Sequence, residues 1–225
     1  MENLPAYISL FFLFTLLLTV FFFYRAAGRS FTALIMVFIW LFLQSAIGMS
    51  GFYTHTSGMP PRFILLIGPP LLLITFLFLT SSGRKLIDKW DAEWLHYLHI
   101  VRVPVELVLL GLCIYKQVPQ LMTFEGRNFD ILSGLTAPFV AYFRYSRPLL
   151  NTKFMLMWNF ICLGLLFNIV TNAILSAPFP FQQFAFEQPD TGVLYFPFML
   201  LPGFIVPMVL LSHLTCIRRL LQEKS

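Results

Sequence analysis

The sequence predicts an all-α polytopic membrane protein: a bundle of seven transmembrane helices, N-terminus outside and C-terminus cytoplasmic. Three observations predict it. The 225 residues are 58% hydrophobic and only 11% charged, whereas a soluble domain is about 45–50% apolar and ~25% charged. Seven apolar runs approach the roughly 17–25 residues that a helix needs to cross the hydrocarbon core. The basic residues gather in alternate linkers between those runs. One transmembrane domain, residues 1–225, accounts for the whole chain.

The first span is predicted at about 6–24. It follows an acidic start, "MENLPAYISL", with neither the basic segment nor the small-residue cleavage site of a secretory signal, so it is expected to be retained. The second, about 31–52, carries Gln44 and Ser45. The third, about 62–80, contains "IGPPLLL", and its paired prolines allow a re-entrant alternative, because broken helices occur at membrane depth where they line a cavity. The linker "SSGRKLIDKWDAEW" (81–94) reads as a short surface helix with Trp90 and Trp94 at headgroup level.

The fourth span, about 95–115, holds the charges discussed below. The fifth, about 129–146, is short and opens at Asp130; it too has a re-entrant alternative. The sixth, about 154–176, carries Asn159, Asn168 and Asn172. The linker "APFPFQQFAFEQPDTG" (177–192) lacks Lys and Arg and is expected to fold back onto the outer interface. The seventh, about 193–217, spaces Pro197, Pro202 and Pro207 five apart, which predicts bends. The continuous apolar runs lack the alternation of a membrane barrel.

Charge orients the bundle. Arg25, Arg29, Arg84, Lys85, Lys89, Arg144, Arg147, Lys153, Arg218, Arg219 and Lys224 fall on one side; Arg62, Lys116 and Arg127 fall on the other. The positive-inside rule makes the first side cytoplasmic and gives an odd number of crossings. The net charge of +5 is thus read as topology, with no nucleic-acid partner. The expected location is a bacterial-type cytoplasmic (inner) membrane, with the lipid bilayer as the main partner and a homo-oligomer or membrane partner possible. Cys113, Cys162 and Cys216 lie in apolar spans without metal-ligand spacing, so they read as buried small hydrophobes.

The fourth span carries the chemistry. His96, His99, Arg102 and Glu106 are spaced three, three and four, which puts them on one helical face; Val101, Val105, Val108 and Leu112 form the other. Glu106 lies ~16 Å from the cytoplasmic end at 1.5 Å per residue. A charge at the bilayer centre costs on the order of 2.5–3.5 kcal/mol on insertion scales, so this face is expected to point inward, with Arg102 and Glu106 neutralising each other. Pro104 between them frees a backbone carbonyl.

A polar chamber is expected from Arg102, Glu106, Gln44, Asp130, Asn168 and Asn172, binding a small solute or an ion. Glu125, Arg127 and Asn128, arranged around Gly126, would form an outer lid, with Gly126 supplying a positive-φ turn and Asn128 or Asp130 capping the fifth helix. The functional reading is a small-solute or proton-linked transporter or channel. One alternative is a membrane enzyme or haem protein using His96, His99 and His213, with His99 and His213 as axial ligands. Another is a non-catalytic sensor or assembly subunit. HExxH, GxSxG, Walker A and GxGxxG signatures are absent, and the last span has no lysine for a retinal Schiff base. No cofactor or metal is expected.

Overall fold

The structure, a computed structural model, describes residues 4–58 and 60–223, so Lys224 of the orienting basic set lies outside the described residues. Among the described residues every regular element is helical. Helices α1 (Ala6–Ala26) and α2 (Phe31–Met49) are joined by a tight turn. Helix α3 (Ile64–Leu79) bends by 97° into the short α4 (Ser81–Ile87), which covers only the first half of the helix expected over 81–94; Trp90, beyond it, is buried. Helix α5 (Ala92–Leu98) passes through one 3-10 turn, His99–Val101, into α6 (Arg102–Ile114). Helix α7 (Ile131–Ala141) continues as a π turn, Tyr142–Ser146. Helix α8 is Thr152–Ser176, and α9 (Val206–Gln222) follows a second π turn, Leu201–Ile205.

Five helical runs are long and apolar enough to cross a membrane: Ala6–Ala26, Phe31–Met49, Ala92–Ile114, Thr152–Ser176 and Leu201–Gln222; the bent α3–α4 pair makes a sixth if it is one span. The α7 run falls just short of the ~17 residues a crossing requires. Two expected boundaries move. The second span stops at Met49, and Phe52–Thr54 forms a separate 3-10 turn after Gly51, whose φ is 73°. The last helical run starts at Leu201 rather than 193: residues Gly192–Leu194 are a 3-10 turn and the Phe196–Pro197 peptide is cis. Pro197 falls before the run, and Pro202 sits in its first turn, where a missing N–H does little harm.

The α5–α6 run is the centre of the bundle, packed against α1, α7 and α9. Both of its faces are buried: His96, His99, Arg102 and Glu106 on one, Val101, Val108 and Leu112 on the other. Leu107 and Ile114 form its exposed edge. Ser212 Oγ donates to the Leu95 carbonyl at 2.7 Å, tying α9 to α5. Pro104 sits in the first turn of α6, where a missing N–H does little harm; the 3-10 turn just before it takes up the break.

The linkers meet at two ends. At one, the Asp91 N–H donates to Ala26 O, Arg218 pairs with Asp88, Arg144 pairs with Glu223, and Arg25 lies 3.9 Å from the Trp94 ring. At the other, the Gly192 N–H donates to Gln117 O, Gln188 to Val118 O, Asn168 to Arg127 O, and Phe63 packs on Phe179. The 177–192 linker turns back onto the end of α8, with the Gln183 and Phe184 N–H groups on Leu175 O. Exposed Phe31, Ile35, Phe38 and Phe42 cover the outer face of α2, the composition of a lipid-facing helix.

Candidate functional site: a buried polar chain at the centre of the bundle

The expected Arg102–Glu106 pair does not form. Arg102 Nε lies 2.9 Å from Asp130 Oδ2 on the neighbouring α7, with side-chain exposures of 2% and 8%. Glu106 instead accepts from Asn128 Nδ2. Spacing alone would let an i,i+4 pair meet, but α7 and the segment before it pack against α6 and bring Asp130 and Asn128 within reach of the two side chains. Asn128 is the bridge: its Nδ2 also donates to Met122 O at 3.0 Å, and its Oδ1 accepts from the Asp130 N–H at 3.0 Å. It is fully buried and faces inward, so it belongs to the core and not to an outer lid.

Below this pair the polar side chains form a chain. Arg102 Nη1 is 3.3 Å from His213 Nε2, and Nη2 donates to Cys162 O at 3.2 Å. His213 Nδ1 is 2.9 Å from Asn159 Oδ1. Asn159 Nδ2 is 3.2 Å from His96 Nε2 and also donates to Met155 O at 2.9 Å. His96 Nδ1 is 2.7 Å from Ala92 O. Helices α5, α6, α8 and α9 each supply at least one group, and Asp130, at the N-cap of α7, holds Arg102 at the head of the chain.

The protons in this chain are assigned by its partners. A guanidinium only donates, so His213 Nε2 must accept and Nδ1 must carry the hydrogen. That hydrogen requires the amide oxygen of Asn159, so the amide nitrogen faces His96. His96 Nε2 then accepts and Nδ1 donates to Ala92 O. Every donor points the same way, from Arg102 toward His96. Cys216 Sγ is 3.5 Å from His96 Nδ1, but that nitrogen's hydrogen is already directed at a carbonyl, so His96 is not placed as a base for the thiol.

The chain lies wholly within residues 60–221, which match the family model described as Domain of unknown function (DUF8737). The chain belongs to this family. No curated protein and no solved structure matches it. Helices α1 and α2 precede the matched DUF8737 segment, and α1 packs against the α5–α6 run that carries the site.

Other expected site residues lie elsewhere. Gln44 is buried on α2 and accepts from Tyr53 Oη at 2.5 Å. Asn168 is exposed, with Nδ2 on Arg127 O, and Asn172 reaches only Asn168 Oδ1 at 3.4 Å. A chamber joining Gln44, Asn168 and Asn172 to Glu106 is therefore not formed, because the first belongs to α2 and the others to the loop-facing end of α8. Glu125 and Arg127 are exposed. Gly126 is not left-handed; it is required because a Cβ there would strike the backbone of Gln120 and Leu121. Asp130 occupies the N-cap position of α7 without a side-chain cap bond, its carboxylate being turned to Arg102.

His99 and His213 are brought together, but stacked: ring centroids 3.8 Å apart and planes 20° from parallel. Axial haem ligands point their edges at the iron from opposite sides, so this arrangement does not frame a haem. No group of three or more His, Cys, Asp or Glu among the described residues is placed to hold a metal ion. The sequence does not mark Asn159 as the link between two histidines, nor Trp158 and Tyr145, which pack on His96 at centroid distances of 5.7 and 5.6 Å. Asn159 was visible as a polar residue in an apolar span; nothing in the sequence connects it to His96, 63 positions away.

Proposed function

We propose that this chain is a proton-linked transporter of small solutes in a bacterial-type cytoplasmic membrane. In this reading it has seven crossings, an N-terminus outside and a cytoplasmic C-terminus. The lopsided distribution of basic residues supports the orientation. The gathering of alternate linkers at two ends supports the odd number of crossings, with α3 and the short α7 run completing the seven. Glu106 is the exchangeable group, Arg102 and Asp130 its charged neighbours, and Asn128 its ligand.

One observation carries the reading. Two carboxyl groups and one guanidinium are buried together, and the guanidinium is turned to Asp130. Glu106 has no cation of its own, and its Oε2 has no hydrogen-bond partner among the described residues. An intramembrane acid held in this way is a functional-site hypothesis by default. From it the Arg102–His213–Asn159–His96 chain leads toward the basic end of the bundle.

The test is direct. Purified protein is placed in liposomes loaded with a pH-sensitive dye. These are challenged in turn with small carboxylates, amines, amino acids and sugars. At least one class is expected to move protons with it, and Glu106→Gln is expected to reduce that movement to the protein-free level. Proton movement by no class, or movement unchanged in Glu106→Gln, overturns the reading.

A further inference from the structure

We infer that Arg102 is the gate of the relay: while it faces His213 it keeps the chain of histidines closed to protons. The inference rests on the proton-linked reading of the same site, and goes beyond it by assigning Arg102 a blocking role instead of a conducting one.

The geometry gives the reason. Passage of one proton along the chain has a fixed balance. His213 gains a hydrogen on Nε2 and releases one from Nδ1. Asn159 accepts that hydrogen on Oδ1 and gives one up from Nδ2. His96 gains one on Nε2 and releases one from Nδ1 to the Tyr145 hydroxyl, 3.3 Å away, which gives up its own. The two histidines are left as their other tautomers and Asn159 as its imidic acid, which reverts when the side chains reset. A reversed His213 directs an Nε2–H at Arg102 Nη1, which is 3.3 Å away and has only hydrogens to offer. Two donors would then face each other in a fully buried site, where an unmet polar group is expensive. The fixed positive charge of Arg102 also opposes an arriving proton, as arginines do where pores exclude protons.

Two further features leave partners open around Arg102. Its contact with Asp130 is single-pointed, through Nε and Oδ2, and Asp130 Oδ1 has no hydrogen-bond partner among the described residues. His99, stacked on His213, likewise has both ring nitrogens without partners. The groups that face Arg102 are therefore Asp130, Glu106, His99, His213 and the Cys162 carbonyl. A shift of charge at Asp130 or Glu106 is what would draw the guanidinium off His213 and let the chain reverse. Solute binding and proton release become coupled at one side chain.

The test uses the full-length protein in liposomes under an imposed pH gradient with no solute. Wild type is expected to leak no more than protein-free vesicles. Arg102→Gln, whose amide can turn its oxygen to His213, is expected to leak at least tenfold faster. The Arg102→Gln/Asp130→Asn double variant removes both charges, so it gives the same readout where the single variant fails to fold. In parallel, 15N NMR of the histidine rings should show His213 and His96 with the hydrogen on Nδ1 in wild type. A tight double variant, or Nε2–H tautomers in wild type, overturns the gate. If a solute moves protons in wild type while the double variant stays tight, the gate fails alone; if the variant leaks but no solute moves protons, the transport reading fails alone.

Discussion

Arg102 on α6 and Asp130 at the start of α7 meet at 2.9 Å in the core of the bundle, each almost sealed from the surface. The chain approach that permits this is Gly134, one turn along α7, where the helix backbone lies against Val103 and the Arg102 Cβ. Charge and close packing are thus one feature, and they can be probed separately.

Breaking the pair on one side strands a buried charge. Asp130→Asn should destabilise the protein by about 3–5 kcal/mol, read as the shift of a denaturant midpoint in detergent. The Arg102→Gln/Asp130→Asn double variant should recover much of that loss, because the stranded guanidinium is removed as well. Additive losses in the double variant would show that the two residues do not interact.

The same pairing at the bundle end should matter far less. Arg218 Nε and Nη2 grip both oxygens of Asp88 at 2.8 and 3.0 Å, and Arg218 beside it holds the Asp88 carboxyl below its usual range. Both side chains remain partly in solvent, 26% and 32% exposed. Asp88→Asn is expected to cost under about 1 kcal/mol, and the effect should shrink further in high salt.

Gly134→Ala tests the packing without touching any charge. Its Cβ would come within 2.8 Å of Val103 Cγ2 and 2.9 Å of the Val103 backbone nitrogen. The backbone cannot yield as a flexible side chain does, so a loss of about 1–3 kcal/mol is expected. A thermal midpoint equal to wild type would mean that α7 sits farther from α6.

Gln44 should behave as a structural residue. It is buried and holds the Tyr53 hydroxyl. Tyr53→Phe leaves the amide oxygen unpartnered and should destabilise by about 1–3 kcal/mol. Gln44→Leu should leave solute-driven proton movement at the wild-type rate; a lost coupling would return Gln44 to the site.

Stability should fall as pH rises toward neutrality, through Asp190. This residue lies in the linker before the last helical run and is fully buried. Burial pushes its carboxyl from 3.8 up to about 7, opposed weakly by the Val193 N–H, which does not reach full hydrogen-bond geometry with either oxygen. The folded state therefore holds the proton more tightly than the unfolded chain. The contribution is complete below about pH 4 and is lost as pH rises through 7, with a limiting slope of about tenfold in the unfolding equilibrium per pH unit. Asp190→Asn should flatten that part of the profile, measured as thermal midpoint against pH.

The helical architecture was legible in the sequence because hydropathy acts locally. Lipid cannot hydrogen-bond a backbone, so each long apolar run must satisfy its own peptide groups as a helix; α1, α2, α5–α6 and α8 fall within a few residues of the expected spans. That the His96–Glu106 face is buried was legible for the same reason, since intramembrane charge must turn inward. The sequence could not say what each charge meets there. Arg102 went to Asp130 and Glu106 to Asn128 because the chain packs α7 and the segment before it against α6, a relationship between segments some twenty or more positions apart. Asn159 and His213 joined the chain through the approach of α8 and α9, while Gln44, Asn168 and Asn172, equally polar and equally apolar in their surroundings, were left outside it. Local composition determined that the chain is helical and that its charges are hidden. Only tertiary packing decided their partners, because a hydrogen bond depends on positions fixed to fractions of an ångström by helices far apart in sequence.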